Sequence, residues 1–305
     1  MLVIVCPGQG SQTPGFLNPW LELPAFKESI EIAQSASGLD LQTYGTLSDA
    51  DTIKDTAIAQ PLIVSASLAS YAALSAAGLK NVAGVAGHSV GELAAAAIAG
   101  VFDTATAMEF VTKRGSEMAK AAALTKSSMA AVLGGDRDEV VAYLTARGLS
   151  AANYNGTGQI VAAGESDSIA KLAAEPMAGT RVIPLAVAGA FHTDFMEPAV
   201  SELANYAAGL TTDNAKIKLW TNKDGSTVES GSEYLNLLVN QVSNPVRWDL
   251  CMEAMVEAGV TALIELSPAG TLAGLAKRGM PGIETLALKT PDQLDAALQL
   301  AENHG

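Results

Sequence analysis

Short continuous apolar runs alternate along this chain with longer segments whose apolar positions recur every three or four residues. These are the two periods of buried strands and amphipathic helices. Leu2–Cys6 is apolar throughout, as expected of a strand buried on both faces. Further strands are expected at Val82–Ala86, Lys216–Trp220 and Ala262–Glu265. Helical periodicity covers Ala25–Ser35, Gln60–Ala77 and Ala105–Ala123, and later His192–Ala208, Ser232–Val242, Pro245–Ala258, Thr271–Arg278 and Pro291–Glu302. Short strands alternating with helices predict an α/β domain around a parallel sheet.

The rhythm changes between residues 127 and 188. Ser128–Leu133 reads as strand, Asp138–Arg147 as helix, Leu149–Tyr154 and Gln159–Ala163 as strands about a glycine-bearing turn, Ser166–Ala174 as helix and Arg181–Val187 as strand. That βαββαβ order is the ferredoxin-like unit. The expectation is a large α/β, hydrolase-like domain made of residues 1–126 and 189–305, with a ferredoxin-like subdomain inserted at 127–188. A substrate cleft would lie between them.

Composition narrows the chemistry. A chain of 305 residues with a formal charge of −14 has no basic footprint for nucleic acid. Cys6 and Cys251 are too few and too far apart for a disulfide framework or a metal cluster, and read as reduced thiols. The apolar start is ended by Pro7-Gly8 and has no basic segment before it, and Leu93–Val101 is well short of a membrane span. A cytoplasmic protein is expected, with no metal and no membrane partner. It is expected to be a monomer, since no long apolar stripe is left over once the core is built.

The most informative motif follows the second expected strand. Gly87-His88-Ser89-Val90-Gly91-Glu92 leads into an alanine-rich helix, so strand, Gly-x-Ser-x-Gly turn and helix describe a nucleophile elbow that would expose the Ser89 hydroxyl. Such a serine needs a base, and only three histidines are available. His304 is penultimate and expected to be frayed, while His88 adjoins Ser89 and should point elsewhere. His192, where a strand gives way to a helix, remains the candidate base. Arg114 falls on the apolar stripe of its helix beside Gly115, and a buried guanidinium must be paired. Glu117 or Glu92 could serve from within, or a substrate carboxylate from outside. Gly8-Gln9-Gly10-Ser11-Gln12 lacks the third glycine and the following acid of a dinucleotide fingerprint, so no such cofactor is expected.

Together Pro7–Gln12, Gln60-Pro61, Gly87–Glu92, Arg114-Gly115, Phe191-His192 and Asn244-Pro245-Val246-Arg247-Trp248 resemble, in order and spacing, the malonyl-CoA:acyl carrier protein transacylases of fatty acid and polyketide synthesis. The resemblance implies that Ser89 carries the malonyl group as an ester between malonyl-CoA and acyl carrier protein, with His192 as base and no cofactor. It also implies an oxyanion hole from the N–H groups of Gln9 and Val90, and a main-chain carbonyl at Gln241 in place of an acidic third member. Arg114 matches the carboxylate clamp, Asn155 a site-edge residue, and Lys277 with Arg278 a docking patch for the acidic carrier. Gly189-Ala190-Phe191-His192 is similar to the malonyl-selective signature with glycine for its first histidine, which makes Phe191 the candidate selectivity residue. A serine esterase or thioesterase is the competing reading, and a non-catalytic acyl-binding protein a third.

Overall fold

The computed structural model describes residues 1–305. In chain order, β1 (Leu2–Cys6) and β2 (Val82–Gly87) precede β3 (Ser127–Leu133), β4 (Ser150–Tyr154), β5 (Gln159–Glu165) and β6 (Arg181–Pro184). The last strands are β7 (Lys218–Leu219), β8 (Ala262–Glu265) and β9 (Glu284–Ala287). One sheet is parallel throughout, in the order β7-β2-β1-β8-β9. The other is antiparallel, in the order β4-β5-β3-β6, and is built entirely from residues between the two halves of the first.

The central position of β1 explains its sequence. Successive side chains point to opposite faces: Leu2, Ile4 and Cys6 enter the main core, while Val3 and Val5 enter a smaller one with Trp220, Trp248 and Met252. Both faces are covered by helices, so no position in the strand can be polar. The helix Thr56–Ala76 follows the same logic. It is long and apolar enough to cross a membrane by length and composition, yet 78% of its apolar window is buried inside the protein. It packs between the helices Pro24–Ser37 and Thr104–Leu124, and is apolar all round because it is covered all round.

Several sequence expectations need correction. The continuous helix expected over His192–Ala208 does not form: His192 has φ +62°, a 3-10 turn spans Asp194–Met196, and the α-helix is Glu197–Ala207. The expected strand Lys216–Trp220 is reduced to Lys218–Leu219; Trp220 N–H still donates to Val85 O at 3.2 Å, and the residue pairs with Thr227 in an isolated antiparallel bridge. β6 stops at Pro184, which lacks an N–H with which to continue the ladder. The strand Glu284–Ala287 and the helix Leu41–Thr46 carried too weak a periodicity to be read. His304 is not frayed; its Nδ1 lies 2.9 Å from Thr261 Oγ1. Both cysteines are free and buried.

The antiparallel unit is tied to the large sheet domain at one edge of β4. Tyr154 N–H donates to Val246 O at 2.8 Å and Val246 N–H to Ala152 O at 2.9 Å. This bridge holds the small sheet over the C-terminal ends of β1 and β2.

The helix carrying Arg114 approaches Thr56–Ala76 through Gly115, where an added Cβ would lie 2.9 Å from Thr56 O. Gly115→Ala should therefore cost about 1–3 kcal/mol by overpacking. Gly274→Ala, in a helix with nothing within 4 Å of the new methyl, should gain about 0.5–1 kcal/mol from propensity. Urea midpoints of the two variants check the opposite signs; a neutral Gly115→Ala would show that this helix contact is loose.

Candidate active site

β2 ends at Gly87 and the helix Gly91–Ile98 starts four residues on, with Ser89 between them at φ +53°. A Cβ at Gly87 would run into the main chain of Gly91 and Glu92, and one at Gly91 into the Cys6 carbonyl. The flanking glycines thus serve close approach, and the serine itself carries the left-handed conformation. Left-handed backbone at a non-glycine residue costs on the order of 1–3 kcal/mol and persists only where its surroundings hold it. The Asn222 carboxamide does so here. Its Oδ1 accepts from Ser89 N–H at 2.7 Å and its Nδ2 donates to Gly87 O at 2.7 Å.

The structure brings Ser89 and His192 together across the cleft, with Ser89 Oγ 2.7 Å from His192 Nε2. The Nδ1 of His192 lies 2.8 Å from the main-chain O of Gln241, which can only accept, so Nδ1 carries the proton and Nε2 is free to take one. His192 is 4% exposed, and its own N–H donates to Val242 O at 3.0 Å. Burial first, and the positive charge of Arg114 second, push its pKa down to about 3. No carboxylate occupies the third position: Asp194 instead opens the 3-10 turn that follows. His88 turns away from Ser89, and its Nε2 donates to Asn155 Oδ1 at 2.9 Å.

Arg114 is 1% exposed and pairs with neither Glu117 nor Glu92, the two internal partners its sequence context offered. Glu117 is taken by Lys113 and Lys120 at 2.9 and 2.8 Å. The guanidinium donates instead to two amide oxygens, Gln60 Oε1 at 2.6 Å and Gln241 Oε1 at 2.7 Å. Its Nε–H has no partner. Burial pushes its pKa down to about 10, against the opposing pull of Glu92, and it stays charged at neutral pH. Gln60 lines the cleft together with Gln9, Ser89, Met118, Phe191 and His192, so the cation sits one hydrogen bond behind the cleft wall.

The remaining candidates fall as follows. The N–H groups of Gln9 and Val90 donate to nothing within the protein, whereas that of Ser89 is occupied by Asn222. Phe191, 5% exposed, forms the wall beside His192, and Gly189 next to it packs on Ala122 where a Cβ would come within 2.6 Å. Asn155 both closes the β4–β5 turn, through N–H to Gln159 O at 2.9 Å, and meets His88 at the cleft rim. Lys277 and Arg278 are exposed in the last turn of Thr271–Gly279, a helix whose end packs by Gly279 against Met252 of the helix Trp248–Glu257 and against Thr157 of the β4–β5 turn. Sequence reasoning missed Asn222 and gave no role to Gln60 or to the side chain of Gln241. Gln60 is marked only as part of the Gln60-Pro61 motif, and Asn222 and the Gln241 carboxamide carry no sequence signal of their own.

A family profile described as "Acyl transferase domain" matches residues 3–291. The Malonyl CoA-acyl carrier protein transacylase of Mycobacterium tuberculosis is 47% identical over 304 residues, which is 98% of this chain and 100% of that protein. The crystal structure of MCAT from Mycobacterium tuberculosis superposes with a TM-score of 0.93 at 48% identity, covering 99% of both chains. A malonyl-transacylase solved in complex with its holo type II PKS acyl-carrier protein, AntF, superposes with a TM-score of 0.93 at 30% identity, covering 98% of this chain and 99% of that one. A nucleophile-elbow α/β domain capped by an antiparallel sheet, matched along its length in both sequence and structure, makes this chain a member of the acyltransferase family of malonyl-CoA:acyl carrier protein transacylases.

Proposed function

We propose that the chain moves a malonyl group from malonyl-CoA to the phosphopantetheine thiol of acyl carrier protein in two half-reactions, through an ester on Ser89. The observation that carries this reading is the hydrogen bond from Ser89 to an unprotonated His192 Nε2, one residue away from a buried, acid-free arginine. In the first half, Ser89 Oγ attacks the thioester carbonyl carbon as its proton passes to His192 Nε2. The oxyanion is received by the N–H groups of Gln9 and Val90, which are unpaired and fixed in advance. The C–S bond breaks, and the CoA sulfur leaves with the proton from His192. In the second half the carrier thiol gives its proton to His192, attacks the ester, and Ser89 recovers the proton as it departs.

Arg114 is the group proposed to read malonate. Two of its five N–H are used by Gln60 and Gln241, and the other three remain for a carboxylate. Phe191 narrows the cleft at the position where a branched acyl chain would carry its methyl group, a misfit worth about 1–3 kcal/mol. Lys277 and Arg278, at the rim beside the Asn155 turn, are the proposed cationic contact for an acidic carrier protein. A hydrolytic reading, as esterase or thioesterase, is not favoured by the main-chain carbonyl that orients His192 where such enzymes commonly use an acid.

Three outcomes test this. Intact-protein mass spectrometry after malonyl-CoA should show one malonyl adduct that carrier protein discharges, and Ser89→Ala should show none; an adduct on the variant would place the ester elsewhere. Arg114→Ala should lower kcat/KM for malonyl-CoA at least about a hundredfold, the roughly 3 kcal/mol of a lost buried ionic contact, while sparing acetyl-CoA. Equal losses would make Arg114 purely structural. Because burial holds His192 neutral in the folded state, the unfolded chain binds the extra proton as pH falls from 6.5 toward 3. The stability contributed by His192 is present above that window and lost through it. Wild type should therefore lose stability relative to His192→Gln by up to about 1.4 kcal/mol per pH unit, read from urea midpoints at pH 7 and 5.

A further inference from the structure

Gln241 contributes more than its carbonyl. Its carboxamide lies between two buried ionisable groups that do not touch, Glu92 on one side and Arg114 on the other. Its Nε2 donates to Glu92 Oε2 and to the main-chain O of Ser89 at 3.1 Å, and its Oε1 accepts from Arg114 Nη2 at 2.7 Å. Two acceptors on one side and a cation on the other leave the amide one satisfactory orientation. The other carboxylate oxygen, Glu92 Oε1, accepts from Asn222 N–H at 2.7 Å and from Tyr234 O–H at 3.1 Å. Every neighbour of Glu92 is thus a donor, and the acid is held without the guanidinium.

We propose that the Gln241 side chain is a positioning residue for acyl selectivity: an uncharged spacer that fixes Arg114 while keeping Glu92 from neutralising it. This inference rests on Arg114 reading the malonyl carboxylate, as proposed above. The chemical logic is that of a held but unspent charge. A guanidinium paired bidentately with a buried carboxylate would be stable and would have little left to offer an incoming one. Amide oxygens from Gln60 and Gln241 fix the same plane and leave the net charge in place. Glu92 still acts on Arg114 through space, favouring its charged form against the cost of burial.

Changing the spacer tests this with the main-chain carbonyl left intact. Gln241→Glu sets a carboxylate directly on Arg114, and Glu92, whose pKa burial already pushes up to about 7, can hold the proton the two acids would then share. Gln241→Met removes the hold without adding charge. The ratio of kcat/KM for malonyl-CoA to that for acetyl-CoA should fall at least tenfold in Gln241→Glu and by a smaller factor in Gln241→Met. The acidic limb of the acetyl-transfer pH profile should stay in place in Gln241→Met and move upward in Gln241→Glu, where the new carboxylate offsets the Arg114 charge that holds the His192 pKa down. Parallel losses for both substrates, with the ratio unchanged, would overturn the inference by making the side chain merely structural. If Gln241→Glu does not fold, an unchanged ratio in Gln241→Met overturns it alone. Arg114→Ala, run alongside, separates the two failures. A ratio that moves there but not in the Gln241 variants rejects only the spacer; one that moves in neither rejects the clamp.

Discussion

A positive charge buried at the centre of a protein without an acid beside it constrains everything around it. Arg114 is almost wholly buried, and a lone charge in that setting is expensive unless dipoles are fixed against it. The chain supplies two amide oxygens from opposite directions, Gln60 on the helix Thr56–Ala76 and Gln241 in the turn after the helix Gly231–Asn240. Those amides must themselves be held. Gln60 Nε2 rests on the Met118 sulfur at 3.4 Å, and Gln241 is tied to Glu92 and to the elbow. The close helix pairing at Gly115 is what brings Gln60 within reach of the neighbouring Arg114. One buried cation therefore explains the position of several residues far apart in the chain.

The elbow solves a different problem, that of exposing a hydroxyl where strand and helix both want their backbone satisfied. Ser89 pays in conformation, and Asn222 holds it by bonding both to its N–H and to the carbonyl two residues earlier. Asn222 in turn donates its own N–H to Glu92, the first-turn acid of the helix that the elbow opens. The elbow and the Arg114 cluster thus share one buried polar network through Asn222, Glu92 and Gln241, and such connected networks favour a single arrangement.

The elements were legible where their period was strong and their burial uniform. β1, with both faces covered, reads directly from its five apolar residues, and Ser89 and Arg114 each stood out as a polar group in an apolar or glycine-bounded frame. Legibility failed where long-range geometry decides the local conformation. Nothing in Phe191-His192-Thr193 announces a left-handed histidine, because its conformation answers to Val242 and Gln241 some fifty residues later. The internal partners of Arg114 went unread for a related reason. Charge arithmetic looks for an acid, whereas two uncharged carboxamides meet the requirement and leave no mark in a list of charges. Asn222 and the side chain of Gln241 are polar positions among many, and only their placement distinguishes them.

Gln241 joins the two halves of the site in one residue. Its carbonyl fixes the tautomer of His192 while its carboxamide fixes Arg114, so a shift of this turn would disturb both residues together. The two functions are also coupled through charge. Burial first and the Arg114 cation second disfavour a positive charge on His192, and together they hold the imidazole neutral. On the proposed mechanism, a carboxylate brought to Arg114 would cancel the cation's field and raise the proton affinity of His192 as it takes the proton from Ser89. A neutral acyl group would leave the field in place and the base weak. If Arg114 and His192 act as proposed, selectivity for malonate would not be confined to how tightly the acyl group binds; it would extend to how readily His192 accepts the proton, because both would depend on the same unpaired charge.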